Sequence, residues 1–126
     1  MYYPLKVRDS RGRIIEALQE VPDKGDKFPT IIMVPGFGVD LHEYGLFDDI
    51  CDRLVKNGFN TVRFSFAGTG KSEGEFINTT VEKQAEQIQD VINYVLKDRF
   101  TDLDRIGLLA QSFGVIPTSA LLPISA

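Results

Sequence analysis

RIGLLAQSFG, residues 105–114, is an apolar run that stops in a tight turn. Arg105 to Ala110 has the composition of a short strand, and Gln111-Ser112-Phe113-Gly114 breaks it before a further apolar stretch begins. Upstream, TIIMV at residues 30–34 is another apolar run without alternation, ended by Pro35-Gly36-Phe37-Gly38. Such a run fits a strand covered on both faces, as in a parallel sheet. Between the two lies FNTVRFSF at residues 59–66, which alternates as a strand, flanked by two helical segments. The first spans Asp40 to Asn57: Asp40 and Glu43 form a capping box, and Asn57-Gly58 supplies a left-handed end. Its apolar stripe is Tyr44, Phe47, Ile50, Cys51, Leu54 and Val55. The second opens at Thr79, boxed with Glu82, and runs to about Arg99 with Val81, Ala85, Ile88, Val91, Ile92 and Val95 on one side. YPLKV and RIIEALQEV, at residues 3–7 and 13–21, flank the turn Asp9-Ser10-Arg11-Gly12 and read as two more strands. The order is two strands, then β, α, β, α, β and the start of another helix. It predicts an α/β fold, a mostly parallel sheet with helices on both faces, forming a single domain over residues 1–126.

Composition narrows the partners. The chain is 43% apolar and 25% charged, which argues against a disordered, collagen-like or disulfide-built protein. With 14 basic and 18 acidic residues its net charge is −4, so duplex nucleic acid and anionic membranes are repelled on balance. No stretch approaches the roughly 20 apolar residues of a membrane span. The start, MYYPLKVRDSRG, lacks the basic-then-apolar plan of a signal peptide. A single cysteine, Cys51, excludes an intrachain disulfide and fits a reducing cytosol, so a cytoplasmic protein is expected. Asp48, Asp49 and Asp52 read as a solvated helix face rather than a metal site, because no histidine lies near them.

The chemistry centres on Ala110-Gln111-Ser112-Phe113-Gly114. A small residue, any residue, serine, any residue and glycine, set between strand and helix, form the nucleophile-elbow pattern. Serine must sit at the tip of a strained turn, and small neighbours two positions away let the flanking backbones pass closely. The bland alternative is an ordinary turn capped by serine. In an elbow architecture an upstream loop supplies a second oxyanion donor, and Pro35-Gly36-Phe37-Gly38 is placed to do so. The expected donors are the N–H groups of Phe37 and Phe113, with Gly36, Gly38 and Gly114 keeping side chains out of the way. A rival motif is Gly70-Lys71-Ser72, which matches the end of a phosphate-binding loop. That motif needs a glycine where this chain has Ser65, and a helix starting at its Gly-Lys-Ser. SEGEFINTT follows instead, without helical periodicity.

Together VPGFG, NTVRFSFAGTGKSEG and DRIGLLAQSFG, in that order, resemble the α/β-hydrolase superfamily, most of all its esterase, acyl-peptidase and serine-aminopeptidase-like members. The resemblance runs from about Leu5 to Gly114. It implies an α/β-hydrolase core, here the N-terminal part, cut after the elbow. It also implies hydrolysis of a small carboxylic ester, thioester or amide through an acyl-serine, with Ser112 as nucleophile and no cofactor or metal. Members commonly carry His-Gly where this chain has Pro35-Gly36, aspartate in place of Ser65, and two glycines where it has Gly114 and Val115. Gly68, Gly70 and Ser72 match the family's loop after the fourth strand.

The triad of that superfamily runs serine, acid, histidine. After Ser112 this chain has only FGVIPTSALLPISA, with no Asp, Glu or His, and its one histidine, His42, reads as an exposed helix residue. The chain alone is therefore expected to be close to inactive, and a non-catalytic fragment or pseudo-enzyme is the alternative. Pro117 and Pro123 interrupt the tail, and the last strand is an open sheet edge through which self-association is expected. ATP or GTP should not bind, because Ser65 and Gly74 both break the phosphate-loop pattern. Calorimetry that found micromolar, magnesium-dependent affinity would overturn this expectation.

Overall fold

The computed structural model describes residues 1–121. Pro123, read above as interrupting the tail, lies outside the described residues. Five strands form one sheet: β1 (Tyr2–Arg8), β2 (Ile14–Glu20), β3 (Phe28–Val34), β4 (Asn60–Phe64) and β5 (Thr101–Ala110), in the spatial order β1-β2-β4-β3-β5. The sheet is mixed rather than mostly parallel. β4, β3 and β5 run parallel, whereas β1 against β2 and β2 against β4 are antiparallel. The tight turn at Asp9–Gly12 is the reason: a short hairpin can only reverse the chain, while parallel neighbours need a long crossover. Helices α1 (Leu46–Lys56) and α2 (Val81–Leu96) make those crossovers, and α3 (Val115–Ser119) follows β5.

Alternation along the strands divides the core in two. Ile32 and Val34 of β3, with Val62 and Phe64 of β4, pack on Ala85, Ile88, Val91 and Val95 of α2. Met33 points the other way, onto Phe47 and Cys51 of α1. Helices therefore cover both faces, as expected. Burial pushes the Cys51 thiol up to about 11, so it stays protonated and serves as a small apolar group.

Both helix starts differ from the sequence reading. Thr80, not Thr79, caps α2 by accepting the N–H of Lys83 at 3.1 Å, and the helix ends at Leu96 rather than near Arg99. α1 begins at Leu46, not Asp40. The Asp40 carboxylate accepts the N–H of His42, and Glu43, Tyr44 and Gly45 all have left-handed φ, at 48°, 57° and 91°. Three such residues in a row cannot continue a right-handed helix. Tyr44, expected on the apolar stripe, is 92% exposed. At the other end Gly58 is left-handed, as Asn57-Gly58 implied.

The α1 face of the sheet is polar. Arg63, on central β4, is 2% exposed and donates to the Glu20 carboxylate at 2.7 Å and to Asp48 on α1. Asp49 and Asp52 do stand on a solvated helix face, paired with Arg53 and Lys56, but Asp48 turns inward. His42, which lies before α1 rather than within it, closes the row by contacting Asp48 through Nδ1 at 2.8 Å. Burial pushes the Asp48 carboxyl up, but hydrogen bonds from His42 and Arg63 outweigh it and hold the group below its ordinary value. At Glu20 the balance reverses: burial raises the carboxyl, and Arg63 offsets only part of that.

Removing one member of a buried ion pair leaves the other without compensation. Arg63→Met should therefore destabilise the fold by about 3 kcal/mol at pH 7. Glu20 titrates above its unfolded value, so its protonated form is favoured in the fold; stability from it is present at low pH and lost as pH rises through the folded titration. The loss in the variant should shrink on acidification toward pH 5. Urea melts showing an equal loss at both pH values, or less than about 1 kcal/mol at pH 7, would refute this account of Glu20.

Candidate active site

The serine turn is built by two backbone contacts. Where β5 ends, the N–H of Gln111 donates to the carbonyl of Val34 at 3.1 Å, and that of Gly114 returns to the Gln111 carbonyl at 3.0 Å. Ser112 sits at the tip, exposed, with φ of 52°. Left-handed backbone is rare for a residue other than glycine, asparagine or aspartate, and it persists only where the surroundings impose it. The surroundings here are the carbonyls of Val34 and Pro35. A Cβ on Gly114 would collide with Pro35 O and stand 3.0 Å from Val34 O. Glycine at this position lets the turn close against β3. A single 3₁₀ turn over Ser112–Gly114 then leads into α3, where Pro117 is buried within the first turn and breaks nothing.

The loop after β3 lies beside this turn. Gly38 is left-handed at φ 73°, whereas Gly36 has room for a Cβ at ordinary contact distance from Gln111 O and the Glu43 carboxylate. Close packing within the chain thus demands glycine at 114 and not at 36. Phe37 is 57% exposed, and its ring meets that of Phe113 edge-on at 5.1 Å and that of Phe76 at 4.8 Å. The sequence reading brings Phe37 and Phe113 to one place, and the structure does the same. Among the described residues, neither the Phe37 nor the Phe113 N–H donates to another protein group, and no imidazole or carboxylate hydrogen-bonds Ser112.

Two carboxylates that sequence reasoning missed hold the surrounding loops. Glu43, only 8% exposed, accepts the Gly36 N–H at 2.7 Å. The signal was Gly45, five positions past the expected cap Asp40, where glycine is a poor choice for a helix. Glu16 on β2 accepts from Ser65 Oγ at 2.7 Å and from the Lys71 N–H at 3.0 Å, while Ser65 Oγ accepts the Leu41 N–H at 2.9 Å. Ser65 and Glu16 together thus place a carboxylate where a hydroxyl alone would not reach both loops. Ser72 Oγ donates to the Ser65 carbonyl, and no helix begins at Gly70; the next α-helix is α2. The backbone around Gly70-Lys71-Ser72 turns inward onto Glu16, so the phosphate-loop geometry is missing.

An open cleft of about 640 Å³ adjoins the site, lined by Gly38, His42, Gly68, Thr69 and Phe76 among others. His42 reaches this cleft, with its Nδ1 committed to Asp48. Among the described residues no helix is long and apolar enough to cross a membrane.

No protein-family profile matches the chain. A curated relative, an uncharacterized 31.7 kDa Escherichia coli protein of the traX-finO intergenic region, is 35% identical over 95 residues, which are 75% of this chain and 32% of that protein. Among solved structures, the α/β hydrolase GrgF from Penicillium sp. sh18 superposes with a TM-score of 0.85 at 21% identity, over 95% of this chain and 40% of its own. Est1E from Butyrivibrio proteoclasticus, solved with ferulic acid bound, gives 0.84 at 25% identity over 96% of this chain and 49% of its own. The chain thus spans about a third of the curated relative and under half of these structures, an extent consistent with an N-terminal portion. The described residues therefore have the fold of part of an α/β-hydrolase core.

Proposed function

We propose that the chain carries the nucleophile and oxyanion half of a serine esterase site. The observation that carries the reading is an exposed serine held left-handed at a strand-to-helix turn where Phe37 and Phe113 meet, their N–H groups without a protein acceptor among the described residues. Ser112 Oγ would attack the carbonyl carbon of an ester, thioester or amide, passing its proton to a base. The N–H groups of Phe37 and Phe113 would receive the developing oxyanion. Collapse expels the alcohol, thiol or amine and leaves an acyl-serine, which water then cleaves to regenerate Ser112. A small aromatic carboxylic ester is a fitting substrate, given the three phenylalanine rings at the site and the ferulic acid bound by Est1E. The reaction calls for no cofactor, metal or nucleic acid, and the proposed setting is cytoplasmic.

Among the described residues no base hydrogen-bonds Ser112, and His42 is engaged with Asp48. The alternative reading is a hydrolase fold without turnover. Self-association belongs to the same proposal: β5 has β3 as its sole strand neighbour among the described residues and exposes Leu103.

An activated ester separates these readings, because p-nitrophenolate leaves without protonation and the serine proton can pass to water. Incubation with p-nitrophenyl acetate should give a slow, stoichiometric acetyl adduct by intact mass, mapped to Ser112 and absent from Ser112→Ala. Steady turnover should stay below the roughly 10³–10⁴ over water that survives loss of triad members in a complete site. Equal labelling of both chains would sink the nucleophile assignment. Fast turnover abolished in Ser112→Ala would show that His42 or a second chain supplies the base.

A further inference from the structure

We propose that Glu43 is a positioning residue that sets the oxyanion loop, an inference that rests on the esterase reading for its purpose but not for its geometry. Its carboxylate is buried to 8% exposure, and its backbone stands at φ 48°, followed by Tyr44 at 57° and Gly45 at 91°. Left-handed backbone is costly for both glutamate and tyrosine. Tyr44 gains nothing from it, since its ring is 92% exposed. What the turn achieves is to swing the Glu43 carboxylate under the loop after β3, where Oε2 accepts the Gly36 N–H at 2.7 Å.

The position of that bond matters. Pro35 has no N–H, so Gly36 carries the first donor after β3 and Phe37 the second. Tying down the Gly36 N–H fixes the peptide plane immediately before the one that presents the Phe37 N–H. The far side of the loop is tied as well, by Leu41 N–H to Ser65 Oγ at 2.9 Å. Phe37 is then left between two anchors, with its N–H unpaired among the described residues and its ring against Phe113. Glu43 therefore acts through Gly36 and does not touch the substrate.

Amide exchange measured by ¹⁵N NMR reads the geometry directly. In Glu43→Ala the Gly36 amide should exchange at least tenfold faster, while Val62 in the core keeps its protection. Glu43→Gln retains an acceptor oxygen of the same reach and should restore Gly36 protection to within about threefold of the parent. The acylation rate of Ser112 by p-nitrophenyl acetate should fall tenfold or more in Glu43→Ala and recover in Glu43→Gln. Should Glu43→Ala not fold, Glu43→Asp, one methylene too short to reach Gly36, carries the same comparison. Unchanged Gly36 exchange, equal losses in the Ala and Gln variants, or loss of protection at Val62 alongside Gly36 would each overturn the positioning role. If the parent chain shows no Ser112 acylation at all, the esterase reading fails, and the exchange pattern alone decides the role of Glu43.

Discussion

The carbonyls of Val34 and Pro35 lie against Gly114 with no room for a methyl group, and the site follows from that contact. β3 and β5 are parallel neighbours, so both strands deliver their following loops to the same end of the sheet. Pairing continues to Val34 opposite Ala110, and the Gln111 N–H extends it by one more bond to Val34. Beyond that point the chain must turn sharply to pass the end of β3. Ser112 takes up the strain, Gly114 provides the clearance, and Phe37 and Phe113 are brought ring to ring. The serine turn is a consequence of how two strand ends are packed.

Three glutamates show how environment separates identical side chains. Glu20 is buried with Arg63 and belongs to the ionic layer beneath α1. Glu43 is buried with a backbone donor and belongs to the loop. Glu16 reaches across from β2 to gather Ser65 and Lys71 after β4, and Ser65 in turn ties the segment before α1 by accepting the Leu41 N–H. A backbone donor and a guanidinium neutralise a carboxylate by different means, one directional and one electrostatic. The buried Arg63 Nε has no partner among the described residues, and the ionic layer rests there on charge pairing rather than a complete hydrogen-bond set.

Sequence periodicity carried the core and the elbow. Met33 and Ile32 alternate onto opposite helices as the unbroken run of β3 implied, and Ser112 falls where small neighbours allow a strained turn. Sheet direction was less legible, because β2 joins β4 rather than β3 and no local signal encodes a partner distant in sequence. The start of α1 misled for a different reason. Asp40 and Glu43 have the spacing of a capping box, but the competing bonds to the His42 and Gly36 N–H groups are tertiary or depend on a backbone state that spacing cannot reveal. Asp48 pairs inward for the same kind of reason, since a buried arginine on the next strand cannot be seen from a helix face.

The register of β3 has a consequence for the order in which the chain can be assembled during synthesis. Its two flanking strands arrive late: Thr30 pairs with Asn60 on one side and with Ile106 on the other. The β1–β2 hairpin can close early because its partners are near in sequence, but β2 must wait for β4 before its outer edge is covered. β3, with the loop that ends at Gly38, leaves the ribosome long before Ala110 does. Until β5 is made, an apolar strand of Ile31, Ile32, Met33 and Val34 has at most β4 beside it. The segment that ends in the loop beside Ser112 is thus also the one most exposed to mispairing while the nascent chain lengthens.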